Sequence, residues 1–268
     1  MNYRPVQGRK RIWIFSLVGL MLLLAGSVFG VDWVNYFIGV NLLYPAIGKP
    51  LLTLLAMILV ISIGQNRLNS RDWLLLLAAF CCMLPTDILM SVVAVSPSIG
   101  VSSPVFMVGG ILSILAHLFL IARLVSHGAP GWKATPKRVQ KFIVPLLIFG
   151  VAAFLLGILW PHLVRVGHAL IAPIYTLFFC TTMWLAWETV RHKLLPHPNN
   201  WMVALAATGW FFTEITGEIY NLGLGTLSEV MFRIVWVFYG STVTLWALSG
   251  YRWIEETRRA KKPASRSR

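Results

Sequence analysis

Apolar residues run along this chain in stretches of about twenty, each broken by a short polar or basic segment. At about 1.5 Å per helical residue, such a stretch matches the hydrocarbon thickness of a bilayer. The pattern predicts eight transmembrane helices, over residues 12–31, 49–64, 73–95, 105–125, 142–160, 168–189, 201–220 and 227–250. The expected fold class is all-α, a polytopic helical bundle. Residues 32–48 mix Trp33, Tyr36 and Tyr44 with Asn35 and Asn41, and are expected at the membrane interface. Pro50 is expected in the first turn of the second helix. Residues 1–11 form a basic N-terminus, 12–250 the membrane domain, and 251–268 a basic tail expected to be disordered.

Composition strengthens this picture. Hydrophobic residues make up 57% of the chain and charged residues 12%, about half of what a soluble domain carries. The net charge of +14 raises the question of nucleic acid, but the placement of the charges answers it. With the N-terminus on the cytoplasmic side, both termini and the connections after helices 2, 4 and 6 share one face. The Lys plus Arg counts there are 4, 2, 5, 2 and 7 in chain order, leaving Lys49, Arg165 and Arg233 on the other side. That is the positive-inside pattern, so no nucleic-acid partner is expected and both termini are expected in the cytoplasm. An integral multi-pass location follows, in the inner membrane if the cell is bacterial.

The basic start and first apolar run resemble a signal peptide. The run is long for one and no A-x-A site follows, so it is read as a retained helix. Cys81, Cys82 and Cys180 lie inside apolar spans and are read as small core side chains. The twelve tryptophans are read mostly as interfacial belt residues. Helices 2 and 6 open alike, with Lys49-Pro50-Leu51-Leu52-Thr53 and Ala172-Pro173-Ile174-Tyr175-Thr176, which suggests a parallel repeat of four helices.

Candidate chemistry begins at Asp87, one carboxylate in the apolar run 73–95. A charge at that depth is expensive and marks a functional hypothesis by default. The expected topology brings other polar groups to the same outer layer: Lys49 at the start of helix 2, His168 at the start of helix 6, Glu214 and Glu218 on helix 7, and Glu229 and Arg233 on helix 8. His117 on helix 4 lies deeper. Glu214 and Glu218 are spaced i,i+4 and face the same way. Two carboxyl groups on one cavity can divide the acid and base roles between them. Each residue also has a structural reading: Asp87 pairing with Lys49 or Arg233, Glu229 pairing with Arg233, and His117 bonding across helices. The spacing offers no metal site, and no nucleotide or nucleophile-elbow motif is present, so no metal and no cofactor are expected.

Three ordered segments resemble a known family. Lys49-Pro50-Leu51-Leu52-Thr53-Leu54-Leu55 resembles the KPLtTLL opening of helix 2 in the YhhN-like, or lysoplasmalogenase, family. Thr86-Asp87-Ile88-Leu89-Met90 resembles its GDvlLM motif, and Phe106, Gly109 and Ile114-Leu115-Ala116-His117-Leu118-Phe119-Leu120-Ile121 resemble its helix 4. The resemblance implies cleavage of the vinyl-ether bond of lysoplasmalogens. It puts acid and base roles on Asp87 and on Glu214 or Glu218, since Gly217 stands where the family carries a second aspartate. Lys49, His168 and Arg233 would then hold the phosphate of a membrane lysophospholipid, and His117 would join the substrate site. The alternatives are a membrane carrier or lipid-binding protein using the same polar layer, and a relative with only a structural role.

Overall fold

A computed structural model of the chain describes residues 8–38, 44–95, 104–128, 140–221 and 226–253. It contains eight α-helices: α1 (Gly8–Ile38), α2 (Tyr44–Ile63), α3 (Ser70–Val95), α4 (Pro104–Ser126), α5 (Gln140–Arg165), α6 (Ile171–Arg191), α7 (Asn199–Asn221) and α8 (Thr226–Leu248). Each of α1 to α5 holds a span long and apolar enough to cross a membrane. The chain is a multi-pass membrane protein. The last three helices carry Glu188, Glu214 and Arg233 among several threonines.

Several boundaries differ from expectation, four of them for a visible local reason. The aromatic segment after residue 31 stays helical to Ile38, because Phe29, Trp33 and Phe37 repeat every four residues and pack ring on ring at 6.1 and 5.8 Å. Pro50 falls inside α2, beyond its first turn, because the helix starts at Tyr44. α5 runs past Pro161 to Arg165. It closes where Gly167 takes φ +81°, with His168 N–H bonded to Leu163 O at 2.8 Å and Gly167 N–H to Val164 O at 3.2 Å. This is a Schellman ending, in which a glycine at left-handed φ satisfies the last carbonyls. α6 therefore begins at Ile171 rather than at His168.

α3 continues through Pro85 without a break. Proline removes one N–H from the ladder, the one that would bond Cys81 O; one residue along, the Thr86 hydroxyl donates to Cys82 O at 2.9 Å.

Neighbouring helices follow a repeating plan. α1 packs on α2, α2 on α3 and α3 on α4; then α5 packs on α6, α6 on α7 and α7 on α8. Between the halves, α2 meets α8 and α4 meets α6, and these two pairs exchange when every helix is shifted by four. The packing thus has the form of a parallel four-helix repeat. A glycine marks the close approach in each half: a Cβ at Gly109 would strike Met90 on α3, and one at Gly209 would strike Thr242 on α8. The halves differ at their edges, since α1 also packs on α8 while α5 packs chiefly on α6. α5 accordingly presents Leu146, Leu147, Phe154 and Ile158 outward, a face suited to lipid. The core lies between α1, α2, α3 and α8, with Met21, Leu52, Phe80 and Trp246 fully buried. Trp210, Trp236 and Trp246 are core residues rather than belt residues, and Cys81 is exposed rather than packed.

Candidate active site

Asp87 sits two residues after Pro85 in the last third of α3, 4% exposed. Among the described residues its carboxylate meets side chains of α2 and α8. One oxygen, Oδ2, accepts hydrogen bonds from the Thr53 hydroxyl of α2 and the Tyr239 hydroxyl of α8. Thr53 Oγ1 and Tyr239 Oη lie 2.5 Å apart. The other oxygen, Oδ1, lies 3.5 Å from Lys49 Nζ. Lys49 is the open side of this arrangement: its side chain is 30% exposed and its ammonium lies 4.8 Å from the Tyr239 ring centroid. A buried carboxylate is stabilised by charge-assisted hydrogen bonds and by a nearby cation. The arrangement sets one oxygen against two hydroxyls and the other toward a partly exposed cation.

The expected partner on α7 is close but separately held. Trp210 Nε1 donates to Glu214 Oε1 at 2.9 Å, one turn along the same helix. Glu214 lies within electrostatic range of the Tyr239 hydroxyl. Trp210 in turn packs on His117 of α4, ring centroids 4.8 Å apart, and His117 Nδ1 lies 3.1 Å from Thr182 Oγ1 of α6. A series of polar and aromatic groups therefore runs from Thr53 and Asp87 through Tyr239, Glu214 and Trp210 to His117 and Thr182. Six helices contribute.

The remaining candidates have other surroundings. Arg233 is 8% exposed and lies against α1, its guanidinium 4.4 Å from the Tyr36 ring and its Nε 3.3 Å from Asp32 O. His168 is buried in the turn before α6 and stacks on Phe106, centroids 4.4 Å apart and planes 7° apart. The side chains of Glu218 and Glu229 lie outside the described residues, as does the tail beyond Trp253. The three residues before that point are packed rather than loose. Tyr251 is 3% exposed, and Arg252 N–H bonds Asn66 O at 2.9 Å.

Three members of the site carry no signal in the sequence. Thr53 and Tyr239 are ordinary residues of apolar helices, and Trp210 passes for a belt tryptophan. Thr53 stood inside the Lys49–Leu55 motif, which is the one clue that was available.

A second polar cluster, also unmarked in the sequence, lies where the N-termini of α3 and α7 meet the C-termini of α4 and α8. Asp72 and Arg123 are both fully buried and form a forked pair, Nε to Oδ1 at 2.8 Å and Nη2 to Oδ2 at 3.1 Å. Arg123 also donates to Ser249 Oγ and O at 2.8 and 3.1 Å. His127 Nε2 lies 2.6 Å from Asp72 Oδ1, and Asn199 Nδ2 donates to Ser249 O and Tyr251 O, both at 2.7 Å. Arg123, in the last turn of α4 beside the basic connection, is an interior residue.

Comparison with known proteins gives one match. The model of the YhhN family aligns with residues 44–249 of the 268, a range that contains Lys49, Thr53, Asp87, His117, Glu214 and Tyr239. No curated protein and no solved structure matches the chain.

Proposed function

The chain belongs to the YhhN family, and on that premise we propose that it is a membrane-embedded hydrolase of lysoplasmalogenase type, acting on the vinyl-ether bond of lysoplasmalogen-like lipids. The observation that carries this reading is Asp87, a buried carboxyl held by two hydroxyls with a half-exposed lysine at its open side.

Vinyl-ether hydrolysis consumes one water and no cofactor. A proton adds to the alkene carbon remote from the ether oxygen, and the positive charge that results is shared between the other carbon and that oxygen. Water attacks this carbon and gives up a proton. The hemiacetal then collapses: its hydroxyl proton leaves, the bond between the former alkene carbon and the glycerol oxygen breaks, and the proton taken from the water passes to that oxygen, to give a fatty aldehyde and a glycerophospho-alcohol. The logic parallels glycoside hydrolysis, where a carboxylic acid protonates and a carboxylate stabilises or deprotonates. In this reading Asp87 supplies the proton and recovers it, and Glu214 takes the proton of the water; Glu218 is the alternative on the same helix. Thr53 and Tyr239 fix the orientation of the Asp87 carboxyl. Lys49 meets the lipid phosphate, aided by His168 or Arg233, and the alkyl chain lies among the apolar helices. A carrier reading would be served by a broken helix at the site, and α3 runs unbroken through Pro85.

The test is direct. Purified protein in detergent, given a lysoplasmenyl lipid, should release aldehyde, while the saturated 1-alkyl lipid should remain intact. A folded protein that releases no aldehyde overturns the reading.

A further inference from the structure

The α4–α6–α7 junction contains a polar atom that the reaction above leaves unused. His117 is 1% exposed. The Thr182 hydroxyl beside it donates to Phe178 O at 2.9 Å. A hydroxyl has a single proton, so at the 3.1 Å contact with His117 Nδ1 it is Thr182 Oγ1 that accepts. This pairing assigns the imidazole proton to Nδ1 and leaves Nε2 as the acceptor nitrogen. No described protein group bonds Nε2. The rings of Tyr175, Phe179 and Trp210 surround the imidazole, at centroid distances of 5.6, 5.6 and 4.8 Å. A buried acceptor left unbonded costs free energy, so the position suits a group that donates to it.

The four-helix repeat provides an independent reason to regard this junction as a site. His117 lies thirteen residues into α4 from Pro104, and Tyr239 thirteen residues into α8 from Thr226. Each lies within hydrogen-bond distance of a threonine of the other half, Thr182 on α6 or Thr53 on α2. Glu214 stands seven residues before the end of α7, and Asp87 eight before the end of α3. In one half the carboxylate bonds the aromatic hydroxyl directly. In the other, Trp210 takes the carboxylate oxygen, and the imidazole lacks that third member.

We propose that His117 Nε2 is a second binding position, the counterpart of the Asp87 centre, and that it accepts a hydrogen bond from a hydroxyl group. The donor is either water or the free alcohol of a glycerol-based lipid. A lone-pair nitrogen in an aromatic enclosure favours a neutral donor over phosphate, to which it has no proton to give. The choice of lipid rests on the hydrolase reading; the hydroxyl-accepting site does not.

The experiment is nitrogen-15 NMR of the full chain labelled at histidine, in micelles, with the His117 signals assigned through His117→Phe. Should that variant fail to fold, Thr182→Val serves, since it removes the Nδ1 partner and moves the same signals. The probes are 1-O-hexadecyl lysophosphatidylcholine, which has a free sn-2 hydroxyl and no vinyl ether, and its sn-2 O-methyl derivative. The expected result is a protonated Nδ1 with Nε2 shifted as a hydrogen-bonded acceptor. That shift without lipid, or with both lipids alike, identifies water as the donor. A shift only with the free-hydroxyl lipid identifies the alcohol. An unbonded Nε2 under all conditions, or a proton on Nε2, overturns the proposal. Aldehyde release is not needed for the readout, so a silent hydrolase assay with a positive shift removes the enzyme reading and leaves the site standing.

Discussion

Two carboxylates on α3 are buried, and they are treated in opposite ways. Asp72, in the first turn, faces a guanidinium squarely and has a histidine on the same oxygen; the guanidinium spends its remaining donors on Ser249. Asp87, near the other end, meets neutral hydroxyls on one oxygen, and its cation stands off at 3.5 Å and is partly open. A carboxylate matched by a forked arginine is committed to one charge state and one geometry. A carboxylate held by hydroxyls can change its proton without losing its neighbours. The first arrangement ties together the ends of four helices, and the second is suited to chemistry. Burial of a charge does not by itself distinguish them; what distinguishes them is how many of the partner's donors are already used.

The contrast can be broken by exchanging loss of activity for loss of stability. The largest effect is expected at Asp87→Asn, which removes the titrating group and should lower aldehyde release by about 10²–10⁴-fold, the usual contribution of general acid–base catalysis. Its melting temperature in detergent should stay close to that of the parent, and a large drop would mean that Asp87 is structural after all. Arg123→Ala should do the reverse. Removing one partner of a buried pair costs about 3–5 kcal/mol, read as a lower melting temperature or loss of folded yield. The double replacement Asp72→Leu with Arg123→Met should recover much of that loss, because no unpaired charge remains. Arg123→Ala with unchanged stability would defeat the assignment of this cluster as a tie.

Smaller effects refine the comparison. Tyr239→Phe removes one hydrogen bond to a charged group, worth about 1.5–3 kcal/mol. Activity should fall about 10–100-fold, mostly in kcat, while KM for the lipid stays put. A change confined to KM would place Tyr239 in binding rather than in orienting Asp87. His127→Ala should cost least, about 1 kcal/mol of stability, with no change in kcat, because the arginine keeps its fork on Asp72.

Much of the fold was legible because helix count depends on local information. An apolar run of the right length becomes a helix in a bilayer whatever its neighbours are. The boundaries that moved did so through side-chain effects at the ends, as with the ring series from Phe29 to Phe37 and the glycine turn at Gly167. The candidate site was legible only in part. Asp87 and Lys49 announce themselves by charge, and the expected topology placed them at a common depth, where the structure joins them. Nothing in the sequence marks Arg123 as interior, because a basic residue near a helix end looks the same whether it faces water or the interior.

The residues alone thus determined the class of the protein and the eight helices, and placed the charged groups along them to within the shift of each helix end, as Lys49 and His168 show. They did not determine which way those groups face. Rotation about each helix axis is set by packing against segments up to about two hundred positions away, as in Thr53 with Tyr239 or Arg123 with Ser249. That is why the pairing of Asp72 with Arg123, the two hydroxyls on Asp87 and the unshared nitrogen of His117 belong to the tertiary structure alone.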